Sequence, residues 1–338
     1  MYWYGIYMRI IWKILFKRVE ITTRVTGLLF LLLAFGSSIM SNGLGIEDFF
    51  PDAKQNLTKI TWAHAVNNRN YLNTTLKDDD INMIEADVIM GTLKSENSKN
   101  LLPVMGHPPE NVSDLSLQMF LDQVKAFNLN VTVANNTRKG VKLDFKSTDA
   151  FNSSIQIVTT FDKENFPIWI NADILPGPID AGEPTVDAKN FFKGANLFPN
   201  SILSIGWTTQ YNDSNTGGYK SSQISDMVDV IKNNKISQNI TFPVRAGLAA
   251  QSIDLLVNLT EQVPNSTLTI WSSLEDNVDT EKLRLLIKKN GLNKTFIDVP
   301  RELLEKLHLN DLPNGGSPLR NPIWFIALVM LILNFGIN

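Results

Sequence analysis

The sequence predicts an α/β fold: a single TIM-type (β/α)8 barrel with an extra short hairpin strand after its second strand. Nine short apolar runs, rich in β-branched and aromatic residues, recur between residues 60 and 300. Amphipathic stretches separate most of them, and that alternation signals a parallel sheet wrapped by helices. Charged and histidine side chains stand near the ends of the runs, where such a barrel collects its functional groups.

The runs, in order, are "ITWAHAV" (60–66), "INMIEADVIM" (81–90), "LPVMGH" (102–107), "GVKLDFK" (140–146), "FPIWINADIL" (166–175), "ILSIGWT" (202–208), "ITFPVRAGL" (240–248), "TLTIWSS" (267–273) and "TFIDVP" (295–300). Helical patterns lie between them, as in "LSLQMFLDQVKAFN" (115–128), "SSQISDMVDVIKN" (221–233) and "TEKLRLLIKK" (280–289). Nine runs are one more than the barrel needs. The second and third are separated only by the polar residues 91–101, too short for a crossover helix. They read as one barrel strand and a returning hairpin strand. No Gly-rich dinucleotide or phosphate-loop fingerprint is present, which weakens the doubly wound alternatives.

Composition narrows the function classes. The 338 residues carry a net charge of −3 and no dense basic patch, which argues against a nucleic-acid partner. There is no cysteine, so disulfides, thiolate metal sites and a cysteine nucleophile are excluded.

The two ends set the compartment. Lys17, Arg18 and Arg24 precede a short apolar run from Leu28 to Phe35, followed by "GSSIMSNG". Basic, apolar, small is the order of a secretory signal, so residues 1–42 are expected to be a signal peptide or a signal anchor. At the other end Asn314, Gly315, Gly316 and Ser317 precede an apolar run from Ile323 to Ile337 with no basic stop after it. Residues 313–338 are therefore expected to be a GPI-attachment signal or a short membrane tail. Eleven Asn-x-Ser/Thr sequons lie between these ends, at Asn56, Asn73, Asn111, Asn130, Asn135, Asn152, Asn212, Asn239, Asn258, Asn265 and Asn293. They fit a glycosylated domain outside the cell, over residues 43–312. The expected location is the extracellular face of the plasma membrane, or the secreted pool.

The charged residues mark the candidate site. Strand interiors of a parallel sheet are apolar on both faces, so polar exceptions near strand ends carry information. The first run ends at His64, the second carries Glu85 and Asp87 on one face, and the returning strand ends at His107. "GVKLDFK" puts Lys142, Asp144 and Lys146 on one face, since alternate strand residues share a face. Asn171 and Asp173 share a face with Trp169; Arg245 and Trp271 end later runs. Two of the chain's three histidines fall in this set, and a near-neutral imidazole suits base or nucleophile on one side and acid on the other. Glu85, Asp87 and Asp144 would crowd three negative charges, which a hard divalent cation, Mg²⁺ or Ca²⁺, neutralises with oxygen ligands. The alternative is an ionic network in which Lys142, Lys146 and Arg245 pair with those acids. Two imidazoles, a hard cation and an ammonium suit phosphodiester cleavage. A glycoside hydrolase, built on a carboxylate pair, would leave the second histidine and the lysine unexplained.

The blocks "ITWAHAVN", "MIEADVIMGTL", "PVMGHPP", "GVKLDFKS", "WINADILPGP", "LSIGWTT", "FPVRAGL" and "LTIWSS" resemble the menorin family in order and spacing, from about Ile60 to Pro300. Menorin-like proteins are similar in turn to the PLC-like phosphodiesterase superfamily, a group of TIM barrels that includes glycerophosphodiester phosphodiesterases and spider-venom sphingomyelinase D. The resemblance implies catalytic His64 and His107, a metal on Glu85, Asp87 and Asp144, and phosphate contact by Lys146. Lys142, Asn171, Asp173, Arg245 and Trp271 are then expected around the substrate, with Lys142 deepest and balancing charge. The sequence departs from glycerophosphodiesterases after His64, where Ala65-Val66 replaces Arg-Gly, and after His107, where Pro108 replaces Asp. The expected substrate is a glycerophosphodiester or lysophospholipid. The alternative is a non-catalytic module in cell-surface protein complexes that pattern neurons.

Overall fold

The computed structural model describes residues 45–94, 100–131, 137–211 and 217–313. The leader-like and tail-like segments, and the sequons at Asn135 and Asn212, lie outside these residues. Among the described residues no helix is long and apolar enough to cross a membrane.

Each of the nine runs contains a strand. β1 (Trp62–Ala63), β2 (Met83–Leu93), β5 (Gly140–Phe145), β6 (Ile168–Leu175), β7 (Ile202–Trp207), β8 (Ile240–Arg245), β9 (Thr267–Trp271) and β10 (Thr295–Asp298) form an eight-strand path in that spatial order. All ladders along the path are parallel. β3 (Leu102–Met105) returns antiparallel against β2, as the short polar connection requires. A further strand of two residues, β4 (Val112–Ser113), pairs with the far end of β2 and has no counterpart among the predicted runs. It is too short to leave a periodic signal, and it forms because β2 continues past Met90 and offers a free edge. "ITFPVRAGL" is strand only to Arg245; Ala246–Ala250 is helix.

The predicted helices are present as Leu117–Asn130, Ser221–Asn233 and Thr280–Asn290, with others after most remaining strands. Their starts follow local chemistry. Asn68, Ser116, Ser147, Asp187 and Asp279 each accept a backbone N–H from the first turn. Ser147 follows directly on the "GVKLDFK" strand and caps the next helix.

Two aromatic clusters show which strand face points where. Phe145 packs edge-on against Phe151 of helix Thr148–Phe161, at 5.3 Å, and Phe151 stacks on Phe191 at 5.0 Å. Odd-numbered residues of β5 therefore face the helices. Inside the barrel, Trp169 lies 5.3 Å from Trp62 and 4.8 Å from Phe296, filling its lower end. No ladder joins β10 to β1 among the described residues. Side chains close that seam instead: Trp62 meets Phe296 at 6.4 Å below, and His64 hydrogen-bonds Asp298 above.

Candidate active site

Strand register builds the site. Asp87 on β2, Asp144 on β5, Asn171 on β6 and Ser204 on β7 are neighbours in one horizontal layer of the barrel. Even-numbered β5 residues face inward, so the register alone brings these polar groups together.

They form one continuous chain of hydrogen bonds. Asn67 donates Nδ2 to Asp87 Oδ2 at 2.7 Å and accepts the Asp87 backbone N–H at 2.9 Å. Lys146 Nζ bridges Asp87 Oδ1 at 2.7 Å and Asp144 Oδ2 at 2.5 Å. Asn171 donates to Asp144 Oδ1 at 2.6 Å and accepts from Ser204 Oγ at 2.5 Å. Both amide atoms of Asn171 are thus used within the protein, and its side chain is buried behind Asp144.

Glu85 sits one layer lower, beside Lys142 in the register. It is buried, accepts the Ala65 backbone N–H at 2.8 Å, and lies 3.6 Å from His64 Nδ1. His64 Nδ1 also contacts Asp298 Oδ2 at 3.1 Å. Lys142 is buried with its ammonium 5.8 Å from the Trp62 ring centre. Ligand oxygens of Glu85, Asp87 and Asp144 all lie within 4.8 Å of one another.

The electrostatics follow from this crowding. Burial pushes the Glu85 carboxyl up, and Asp87 and Asp144 add to the rise against His64 and Lys142. Burial acts the same way on Asp144, but Lys146 and Lys142 outweigh it and hold Asp144 below its usual range. Burial disfavours the Lys146 ammonium, yet Asp144 and Asp87 hold its pKa above that of an ordinary lysine. Burial would lower His64; Glu85 and Asp298 override it and raise the imidazole to about 9. Four acidic side chains (Glu85, Asp87, Asp144, Asp298) gather here with two lysines (Lys142, Lys146) and His64, so acidic groups outnumber basic ones at the site.

Three oxygen donors where acidic groups outnumber basic ones suit a hard divalent cation. Ligand distances of about 2.1–2.5 Å around such an ion separate neighbouring oxygens by roughly 3–5 Å, which matches the cluster. The same oxygens of Asp87 and Asp144 also carry the Lys146 bridge, so the expected ionic network is present for Lys146. It is absent for Arg245, which pairs with Asp276 through Nε at 2.8 Å and Nη2 at 2.6 Å. The Arg245 guanidinium lies 5.2 Å from both the Tyr211 and Trp271 ring centres. Arg245 and Trp271 therefore brace the loop after β9.

His107 lies on the loop after β3, one residue from Gly106, whose N–H bonds the Asp87 carbonyl at 3.0 Å. Its Nδ1 is 2.7 Å from the Pro108 carbonyl oxygen. A carbonyl only accepts, so Nδ1 carries the proton and Nε2 is left for other partners. His107 and Asn67 line a common cleft of about 460 Å³.

Asp173 faces the barrel interior one step above Asn171. Burial, and next Asp144, push its carboxyl up to about 7. It fits because Gly206, its register partner, has no side chain: a Cβ there would stand 2.8 Å from Asp173 Oδ1 and 2.9 Å from Pro243 Cγ. Gly206→Ala is expected to destabilise the protein by about 1–3 kcal/mol through overpacking. Chemical denaturation measures it, and an unchanged midpoint would show that Asp173 turns aside freely.

Residues 56–304, which span every group from His64 to Asp298, match a family model described as the Menorin N-terminal domain. The chain belongs to the menorin family. It is 36% identical over 244 residues to the human protein FAM151B, across 71% of this chain and 82% of that protein. Among solved structures it aligns with orotidine 5′-monophosphate decarboxylase from Methanocaldococcus jannaschii at 12% identity and a TM-score of 0.38, over 74% of this chain and 95% of that one.

In this menorin-family chain, the structure brings together His64, the three acids and Lys146, which the strand pattern singled out, and adds Asp298, which it did not. Asp298 obeys the same rule, being the last residue of β10 in register with Trp271. Ser204 and Asp276 carried no such signal; the first lies mid-strand and the second in a loop.

Proposed function

We propose that this menorin-family barrel cleaves phosphodiesters with a divalent cation held by Glu85, Asp87 and Asp144, in chemistry like that of the PLC-like phosphodiesterases. The observation that carries this reading is the convergence of three carboxylates, within 4.8 Å of one another, on the residues next to His64 and Lys146. The cation, Mg²⁺ or Ca²⁺, would neutralise a phosphate oxygen and the charge that grows on it. Lys146, bridging its two carboxylates and partly exposed, donates to a second phosphate oxygen. His107 Nε2 accepts a proton from the attacking water as its oxygen bonds to phosphorus. His64, oriented by its Nδ1 contact with Asp298, gives a proton to the alkoxide released when the ester P–O bond breaks. The substrate class is a glycerophosphodiester or lysophospholipid.

The setting proposed with it is extracellular and membrane-attached, through a lipid anchor or a short tail. It rests on the terminal sequence patterns and on the sequons. Of the nine sequon asparagines among the described residues, Asn73, Asn111, Asn130, Asn152, Asn258, Asn265 and Asn293 are exposed, and Asn56 and Asn239 half-buried.

The test is hydrolysis of a phosphodiester panel by the purified protein, with and without EDTA. Turnover that EDTA abolishes and Mg²⁺ or Ca²⁺ restores is expected. Cation binding without turnover on any diester would favour the alternative, a cell-surface binding module with a structural metal site.

A further inference from the structure

Apart from His107, the residues lining the cleft beside it have no role in the steps above. Its inner end is Asn67, whose amide brackets Asp87 through two hydrogen bonds. Its outer wall is the extension of β2 past the barrel with β4 beside it, a part of the fold that the eight-strand path does not need. The polar lining includes Asn67, Lys94, His107, Glu110, Ser113 and Asp114. Among the described residues, the Lys94 ammonium and the Glu110 carboxylate have no hydrogen-bond or ion-pair partner. At about 460 Å³ the cleft is the size of a small-ligand pocket.

Two apolar openings among the described residues lie elsewhere. Cavities of about 320 and 180 Å³, walled by Ile231, Val263, Trp169 and Phe296 among others, both meet Ile240, the first residue of β8. They are at the N-terminal end of the barrel, opposite the carboxylate cluster. An acyl chain attached to a phosphate at the cluster would reach neither.

The geometry points to the His107 cleft as a specificity subsite for one of the two alcohols esterified to the phosphate, a hydroxyl-rich and chain-free group gripped by Lys94 and Glu110. This rests on the phosphodiester reading and deepens it. Lys94 donates to hydroxyl oxygens and Glu110 accepts from hydroxyl protons, so a polyol satisfies both charges. A methylene chain in the same place would strip them of water and return nothing. Both residues grip ground state and transition state alike, so their loss should act on KM and leave kcat in place.

The probes are glycerophosphoglycerol, with a polyol on either side of the phosphate, and dibutyl phosphate, with none. Wild-type protein with Mg²⁺ or Ca²⁺ is expected to cleave the first with at least about tenfold higher kcat/KM. Lys94→Ala and Glu110→Ala should each raise its KM about five- to twentyfold, with kcat within about twofold and unchanged thermal midpoints. Equal or better cleavage of dibutyl phosphate, or unchanged KM in both variants, overturns the subsite while leaving the phosphodiester reading intact. If neither probe is hydrolysed, that reading is in question and the subsite is judged by calorimetric binding of glycerophosphoglycerol. Weaker binding to Lys94→Ala than to wild type supports it; equal binding, or none to wild type, overturns it.

Discussion

Replacing Lys146 with methionine is expected to destabilise the metal-free protein by about 3–5 kcal/mol, the penalty for removing one partner of a buried charge pair. Lys146 Nζ is the bond between Asp87 and Asp144, and the three side chains are only 23%, 6% and 19% exposed. Without the ammonium, two carboxylates on neighbouring strands face each other with little water between them. A divalent cation would supply the missing charge, so Mg²⁺ or Ca²⁺ should restore much of the lost stability to Lys146→Met. Turnover should stay about 10²–10³-fold down even when metal is bound, as it does when a charge-stabilising donor is lost. Urea denaturation with EDTA and with added cation reads the first effect, and saturated kcat the second. If added cation gives the variant no stability, the acids do not bind metal and Lys146 is their natural partner.

The opposite pattern is expected for Asp144→Asn. Lys146 keeps Asp87, so the metal-free protein should lose only about 1–3 kcal/mol, the range for one disrupted buried hydrogen-bonding group. Cation affinity should fall by more than about 100-fold, beyond the loss usual for changing a group behind the ligands. Hydrolysis should then vanish with it. Calorimetric titration of the cation into parent and variant checks this directly. Equal affinities would sink the metal assignment and leave an ionic network. Together the two variants separate metal from network, because one is rescued by the cation and the other cannot hold it.

The three charges of "GVKLDFK" show how far local pattern reaches. Alternation placed Lys142, Asp144 and Lys146 on one face, but a strand cannot tell whether that face meets water or a barrel lumen. Phe145 against Phe151 and Trp169 against Trp62 settle it: the charges point inward. Their separate fates were also beyond local pattern. Lys142 lies low, over the Trp62 ring, and Lys146 lies high, between two aspartates. Arg245 looked like a third cation for the cluster, because it ends a strand as Lys146 nearly does. The loop after β9 brings Asp276 to it first, and no spacing in the chain announces that contact.

By itself the sequence determined the strand and helix order, the returning hairpin after β2, and the side-chain types at the strand ends. Those depend on periodicity and capping, which act over a few residues. Tertiary structure alone decided the register that aligns Asp87, Asp144, Asn171 and Ser204 in one layer. It also decided that Asp298, 234 residues from His64, completes the pair across the seam. Hydrogen-bond partners and charge balance depend on distances between segments far apart in the chain, and those distances exist only once the barrel has closed.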